Sequence, residues 1–133
     1  MNKEKINLLK NYIKSGVSPL LIQNVSINSF ENTAVIDSNI DVSELNGHYE
    51  ETEFCPPYWY KELLNKSKEN VVVLVINKIN EIPLKEQTKF IELLKYKKIS
   101  TFELPKNCII IVTCSDLTNK KINEEVYSLL AQI

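Results

Sequence analysis

The chain has 133 residues, of which 44% are hydrophobic and 25% charged, with a formal net charge of -1. That length supports one core without metal or disulfide staples, so a single domain over residues 1–133 is expected, and the interspersed charges argue against disorder. All sixteen basic residues are lysines, which leaves no arginine for a bidentate contact to phosphate or guanine and disfavours specific nucleic-acid binding.

Ile6, Leu9 and Ile13 recur at helical spacing beside Leu8 and Tyr12, and Gly16 follows, so residues 3–15 are predicted as an amphipathic helix. Pro19 opens the run LLIQNV (20–25), and TAVID (33–37) comes after the seven-residue stretch SINSFEN; both runs are predicted strands. Residues 38–53 are polar and acidic, with Gly47, and read as a long connection. Cys55-Pro56-Pro57 then introduces a helix carrying Tyr58, Trp59, Tyr60, Leu63 and Leu64. VVVLVI (71–76) has no polar alternation and is predicted as a buried central strand. Pro83 precedes LKEQTKFIELLK, where Leu84, Gln87, Ile91 and Leu94 share one helical face. ISTFELP is a short extended piece ending at Pro105, CIIIVTC (108–114) is a second apolar strand, and Ile122, Val126, Leu129, Leu130 and Ile133 define a terminal helix. Alternating strands and helices indicate an α/β fold with a mostly parallel sheet. The apolar runs fall far short of the ~20 residues needed to cross a bilayer, and MNKEKINLLK lacks a signal-peptide core. No membrane association and a cytoplasmic location are expected.

VVVLVINKINEIPLKEQTKFIELL followed by LPKNCIIIVTCSD resembles the Walker B to sensor 1 segment of AAA+ ATPases, in the MoxR-like and dynein-related branch. In that branch an apolar strand ends in Asp-Glu, followed by Ile-Asn, a proline and a glutamine; Ile79, Asn80, Pro83 and Gln87 stand at those offsets here. The Asp and Glu positions are Asn77 and Lys78, the sensor asparagine falls at Ser115, and the arginine finger falls at Gln132. Asp41, Leu45 and Gly47 resemble a leucine-glycine element of the same branch, and Leu104-Pro105 matches a pair before the sensor strand. The resemblance covers residues 33–133. It implies a three-layer, P-loop-NTPase-like core of about four strands in the order 2-3-4-1, with helices on both faces, ending before the family's fifth strand. Without that strand, Leu20, Leu21 and Ile22 would form an open sheet edge suited to self-association or to capture of a partner strand.

The nucleotide chemistry of such a core has lost its parts in this sequence. A phosphate loop needs GxxxxGK[ST], because only glycine lets the backbone N–H groups wrap the phosphates; the chain has two glycines, Gly16 and Gly47, in no such context, and SINSFEN is too short for the loop and its helix. An amide at Asn77 is a poorer magnesium ligand than a carboxylate, Lys78 reverses the charge where a base would stand, and no arginine can act as a finger. The expectation is a non-catalytic interaction or regulatory module with no cofactor, self-associating or bound to a protein partner. Two other readings stand beside it: an ATP-binding subunit of a mixed AAA+-type ring, and an unrelated flavodoxin-like or receiver-like domain. The last is disfavoured by Gln23 and Asn24 at the end of the first strand, where a receiver carries acids, and by the lack of a glycine phosphate loop.

The remaining polar clusters have plainer readings. His48, the one histidine, lies between Gly47 and Tyr49 near Glu50, Glu51 and Glu53, and reads as a solvated loop histidine rather than a metal ligand. Asp37, Asp41 and Glu44 read as surface carboxylates, so no metal site is expected. Cys55, Cys108 and Cys114 have no CxxC spacing and are expected as free thiols. Tyr58 and Tyr60 are candidate interaction residues, with Trp59 assigned to the core. Lys95, Lys97 and Lys98 suit a solvated helix end, and Ser115-Asp116 lacks the context of a hydrolase nucleophile.

Overall fold

In the computed structural model, residue 11 and residues 19–23, 32–68, 70–115 and 122–132 are described. The predicted helix over 3–15 lies outside them, apart from the helical Asn11. The main sheet is built from β1 (Leu20–Gln23), β2 (Thr33–Asp37), β5 (Val72–Asn77), β8 (Cys108–Cys114) and β9 (Ala131–Gln132), all parallel, in the order β2-β5-β8-β1-β9. The four-strand core therefore has the expected order 2-3-4-1. This differs from the 2-1-3-4-5 order of flavodoxin-like and receiver-like sheets.

A fifth strand is present, contrary to expectation. The predicted terminal helix is only α4 (Glu124–Ser128), begun by Asn123, whose side-chain oxygen accepts from the N–H groups of Glu125 at 2.9 Å and Val126 at 3.2 Å. The chain then straightens at Ala131 and Gln132, which pair with Leu20 and Leu21. Leu129 and Leu130, assigned to the helix by their spacing, still pack on the core as partly buried residues after it ends.

The apolar runs behave as buried parallel strands do, with side chains buried on both faces of the sheet. Leu21, Ala34, Ile36, Val72, Leu74, Ile76, Ile110 and Val112 share one cluster with the buried side chains of α1 (Val42–Asn46), α2 (Tyr58–Lys66), α3 (Ile91–Tyr96) and α4. The alternate residues Leu20, Ile22, Val73, Val75, Ile109 and Ile111 form a second buried cluster. Residues from Leu84 to Lys95 form less regular helix than predicted, a 3-10 stretch at Glu86–Phe90 leading into α3. The buried face there is Gln87, Phe90, Leu93 and Leu94, and Leu84 is 47% exposed. A 3-10 segment rotates faster per residue than an α-helix, which shifts the face away from Leu84, while Ile91 still packs on the core as a partly buried residue.

The predicted connection over 38–53 is structured. It holds α1 and then an antiparallel hairpin of β3 (His48–Glu50) and β4 (Glu53–Cys55). A second small hairpin, β6 (Lys98–Ile99) with β7 (Phe102–Glu103), occupies the piece before Pro105. Among the described residues no helix is long and apolar enough to cross a membrane.

Candidate functional site at the carboxyl end of the sheet

Ligands of open parallel sheets bind beyond the carboxyl ends of the strands, where the loops fan out. Here those ends bring together Asp37 at the end of β2, Asn77 at the end of β5 with Lys78 after it, and Thr113 in β8 with Ser115 just beyond it. A cleft of about 390 Å³ opens among Asp37, Ser38, Asn39, Asn77, Lys78, Glu81 and Ile82.

The groups at its floor are bonded to one another. The Thr113 hydroxyl donates to Asn77 Oδ1 at 3.0 Å and accepts the backbone N–H of Lys78 at 2.9 Å. Ser38 Oγ donates to the Lys78 carbonyl at 3.0 Å, and the Ser38 N–H reaches the Asn77 carbonyl at 3.3 Å. Lys78 itself holds a left-handed backbone, φ 55 and ψ 54, a conformation that costs a non-glycine residue roughly 1–2 kcal/mol. Its backbone bonds, to Thr113, Ser38 and the Glu81 N–H at 3.0 Å, hold the turn that leads into the 3-10 segment Ile79–Glu81. Beyond it, Asn80 and Ser115 form a two-way clasp: the amide donates to Ser115 Oγ at 2.8 Å, and Asn80 Oδ1 accepts the Ser115 N–H at 3.1 Å.

Gln87 has no solvent exposure. Its amide nitrogen donates to the Ile82 carbonyl at 3.2 Å, and its oxygen accepts the Asn123 N–H at 2.7 Å, while Asn123 Nδ2 reaches the Leu84 carbonyl at 3.3 Å. The glutamine thus ties the loop after β5 to the start of α4. Ile79, Asn80 and Gln87 all serve to hold the β5 loop against β8 and α4, with Ile79 buried.

The structure separates the other candidates. Leu20, Leu21 and Ile22 are buried and β1 is paired on both sides at Leu20 and Leu21, so the expected open edge is covered there. The covering strand is Ala131–Gln132, which was assigned to a helix by apolar spacing alone. Tyr60 is buried; its hydroxyl donates to the Glu103 carbonyl, and burial, then the Glu103 charge, push its pKa up. Trp59 is buried too, and its indole N–H donates to the Leu45 carbonyl at 3.0 Å. Tyr58 is 80% exposed. It borders a second cleft of about 540 Å³, whose lining includes Asp37, Asp41, Glu44 and His48. Lys97 is the left-handed cap of α3 and Lys98 belongs to β6, so the lysine cluster is divided between a helix end and a strand.

One group of ligating side chains was missed. His48, Glu50 and Cys55 converge on the first hairpin, with His48 Nε2 at 3.2 Å from Glu50 Oε1. The hydrogen bond with His48, followed by its charge, lowers the Glu50 pKa; burial and then the charge of Glu50 raise that of Cys55. The signal available in sequence was the alternation His-x-Glu, but the turn residues Glu51 and Thr52 are not those of a common two-residue hairpin, so Cys55 could not be placed opposite His48.

No protein-family model matches the chain, and no curated protein matches it. Among solved structures it is similar to NtrX from Brucella abortus, with a TM-score of 0.58 and 13% identity over 96% of this chain and 35% of NtrX. It is also similar to a candidate ATPase from Cytophaga hutchinsonii ATCC 33406, with a TM-score of 0.56 and 16% identity over 88% of this chain and 39% of that one. The chain thus spans little more than a third of the length of either structure. At these identities the likeness is one of fold: an α/β core of the kind found in ATPase-like proteins.

Proposed function

We propose that this chain is a non-hydrolysing AAA+-like module that acts by contact with another protein. The observation that carries the reading is the closed polar network beyond β5 and β8. Asn77 Oδ1 accepts from Thr113, and Asn80 and Ser115 are satisfied by each other. A magnesium-nucleotide centre needs carboxylate oxygens and a positioned base at this end of the sheet. β5 and β8 instead end in an amide, a lysine and bonded hydroxyls, and among the described residues the carboxylates bordering this exposed cleft are Asp37, the last residue of β2, and Glu81.

The contact face is the surface around Tyr58. An exposed tyrosine supplies large contact area at low entropy cost, and the cleft beside it carries Asp37, Asp41 and Glu44, which suits a partner segment bearing basic residues. Titration calorimetry and a phosphate-release assay with magnesium-ATP test the catalytic half of the reading. No heat and no release above buffer are the expected results; stoichiometric heat would favour the ATP-binding subunit, and turnover would end the proposal. Light scattering coupled to size exclusion, over a range of concentrations, tests the contact half. Any self-associated species is expected to dissociate in Tyr58→Ala and to be indifferent to magnesium-ATP, and a ring-sized species formed only with nucleotide would count against the module.

A further inference from the structure

The first hairpin has two chemically distinct faces. Side chains alternate along a strand, and directly opposed residues of an antiparallel pair share a face. Tyr49 pairs with Phe54, and their rings meet edge-on with centroids 4.9 Å apart; Phe54 in turn stacks on Phe102 at 5.7 Å. That face fixes the hairpin to β7. The opposite face holds His48 opposite Cys55, with Glu50 two residues along from His48. Gly47 positions the pair: with φ 102, it lets the Cys55 carbonyl come within 2.5 Å of where a side-chain carbon would stand.

We propose that His48, Glu50 and Cys55 form a binding site for a single zinc-like transition-metal ion. One nitrogen, one oxygen and one sulfur ligand atom lie within 4.8 Å of one another. Two ligands of one tetrahedral zinc stand roughly 3.5 Å apart, given metal–ligand distances of about 2.0–2.3 Å, so small rotamer adjustments close the set. The mixed donors favour zinc, cobalt or copper over magnesium or calcium, which take oxygen ligands. The ion would replace the present bond between His48 Nε2 and Glu50, the Cys55 thiol would lose its proton on binding, and a fourth position would remain for water or a partner's side chain. This site is on the hairpin and does not depend on the reading of the sheet's carboxyl end.

The test is a cobalt(II) titration of the reduced full chain, followed by absorption. A sulfur-to-cobalt charge-transfer band in the near ultraviolet, with the intense visible bands of tetrahedral cobalt saturating at one ion per chain and lost on adding zinc, is the expected result. Cys55→Ser should remove the charge-transfer band, and His48→Ala or Glu50→Gln should weaken binding roughly tenfold or more, since even the loss of an outer-shell partner costs about that much. Circular dichroism should show each variant folded, as the three side chains lie on an exposed hairpin. Spectra of hydrated octahedral cobalt alone, or a band that persists in Cys55→Ser, would overturn the proposal.

Discussion

The Asn80 side chain and Ser115 exchange two hydrogen bonds, of 2.8 and 3.1 Å, across the gap between the loop after β5 and the end of β8. Asn80→Ala removes both bonds, whereas Ser115→Ala removes only the bond to Oγ and keeps the backbone N–H, so Asn80→Ala should cost about what the double substitution costs and Ser115→Ala less. For neutral bonds at an exposed site the coupling should be roughly 0.5–1.5 kcal/mol. Urea unfolding of Asn80→Ala, Ser115→Ala and the double variant measures it, and strict additivity of the two losses would contradict the clasp.

Among the described residues, Gln87 should be the most costly polar side chain to remove. Truncation leaves the buried Ile82 carbonyl and the Asn123 N–H without their present partner and opens a void. Gln87→Ala is expected to lose roughly 2–4 kcal/mol of stability. Chemical denaturation reads this, and a loss below about 1 kcal/mol would mean that water takes over both bonds.

Gly47→Ala should disturb the first hairpin, because its positive φ is strained for any side chain and the added carbon would meet the Cys55 carbonyl. The expected cost is at least about 1 kcal/mol. The near-ultraviolet circular dichroism should change as well, since Tyr49, Phe54 and Phe102 are held by this hairpin. An unchanged melting temperature and spectrum would show that the turn relaxes freely.

Thiol chemistry should distinguish the cysteines. Burial pushes Cys108 up to about 12, so in the folded chain it stays protonated and resists alkylation up to strongly alkaline pH. Cys55 is reachable, but its raised pKa keeps the reactive thiolate scarce near neutrality, so its alkylation should accelerate as pH rises above the ordinary cysteine range. Glu50→Gln removes one cause of that shift and should speed labelling at fixed pH. Mass spectrometry of peptides after timed alkylation checks both, and early labelling of Cys108 would contradict the buried assignment.

What the sequence made legible follows from periodicity. The runs at 71–76 and 108–114 declare themselves as strands because nothing polar interrupts them except Thr113, whose hydroxyl is bonded to Asn77. Ala131 and Gln132 carried no such signal: a two-residue strand has no period, and its identity is set by β1 alongside it. The hairpin at 48–55 was concealed in the same way. Glu51 adopts φ 56 without being glycine or asparagine, so the turn is imposed by the packing of Phe54 on Phe102 rather than written in its own residues. The positions around Asn77, Lys78 and Ser115 could be located by resemblance, but their mutual satisfaction is a matter of ångströms and needed coordinates.

The place of β1 between β8 and β9 also sets an order of events during synthesis. Leu20 finds its neighbours in Ile111 and Ala131, both far downstream, so the first strand leaves the ribosome long before either exists. Until then its three consecutive apolar side chains have no sheet to join, and the closing of so long a loop is slow. Nascent chains should therefore be most vulnerable to aggregation, and most dependent on a chaperone, in the interval between the emergence of β1 and that of β8.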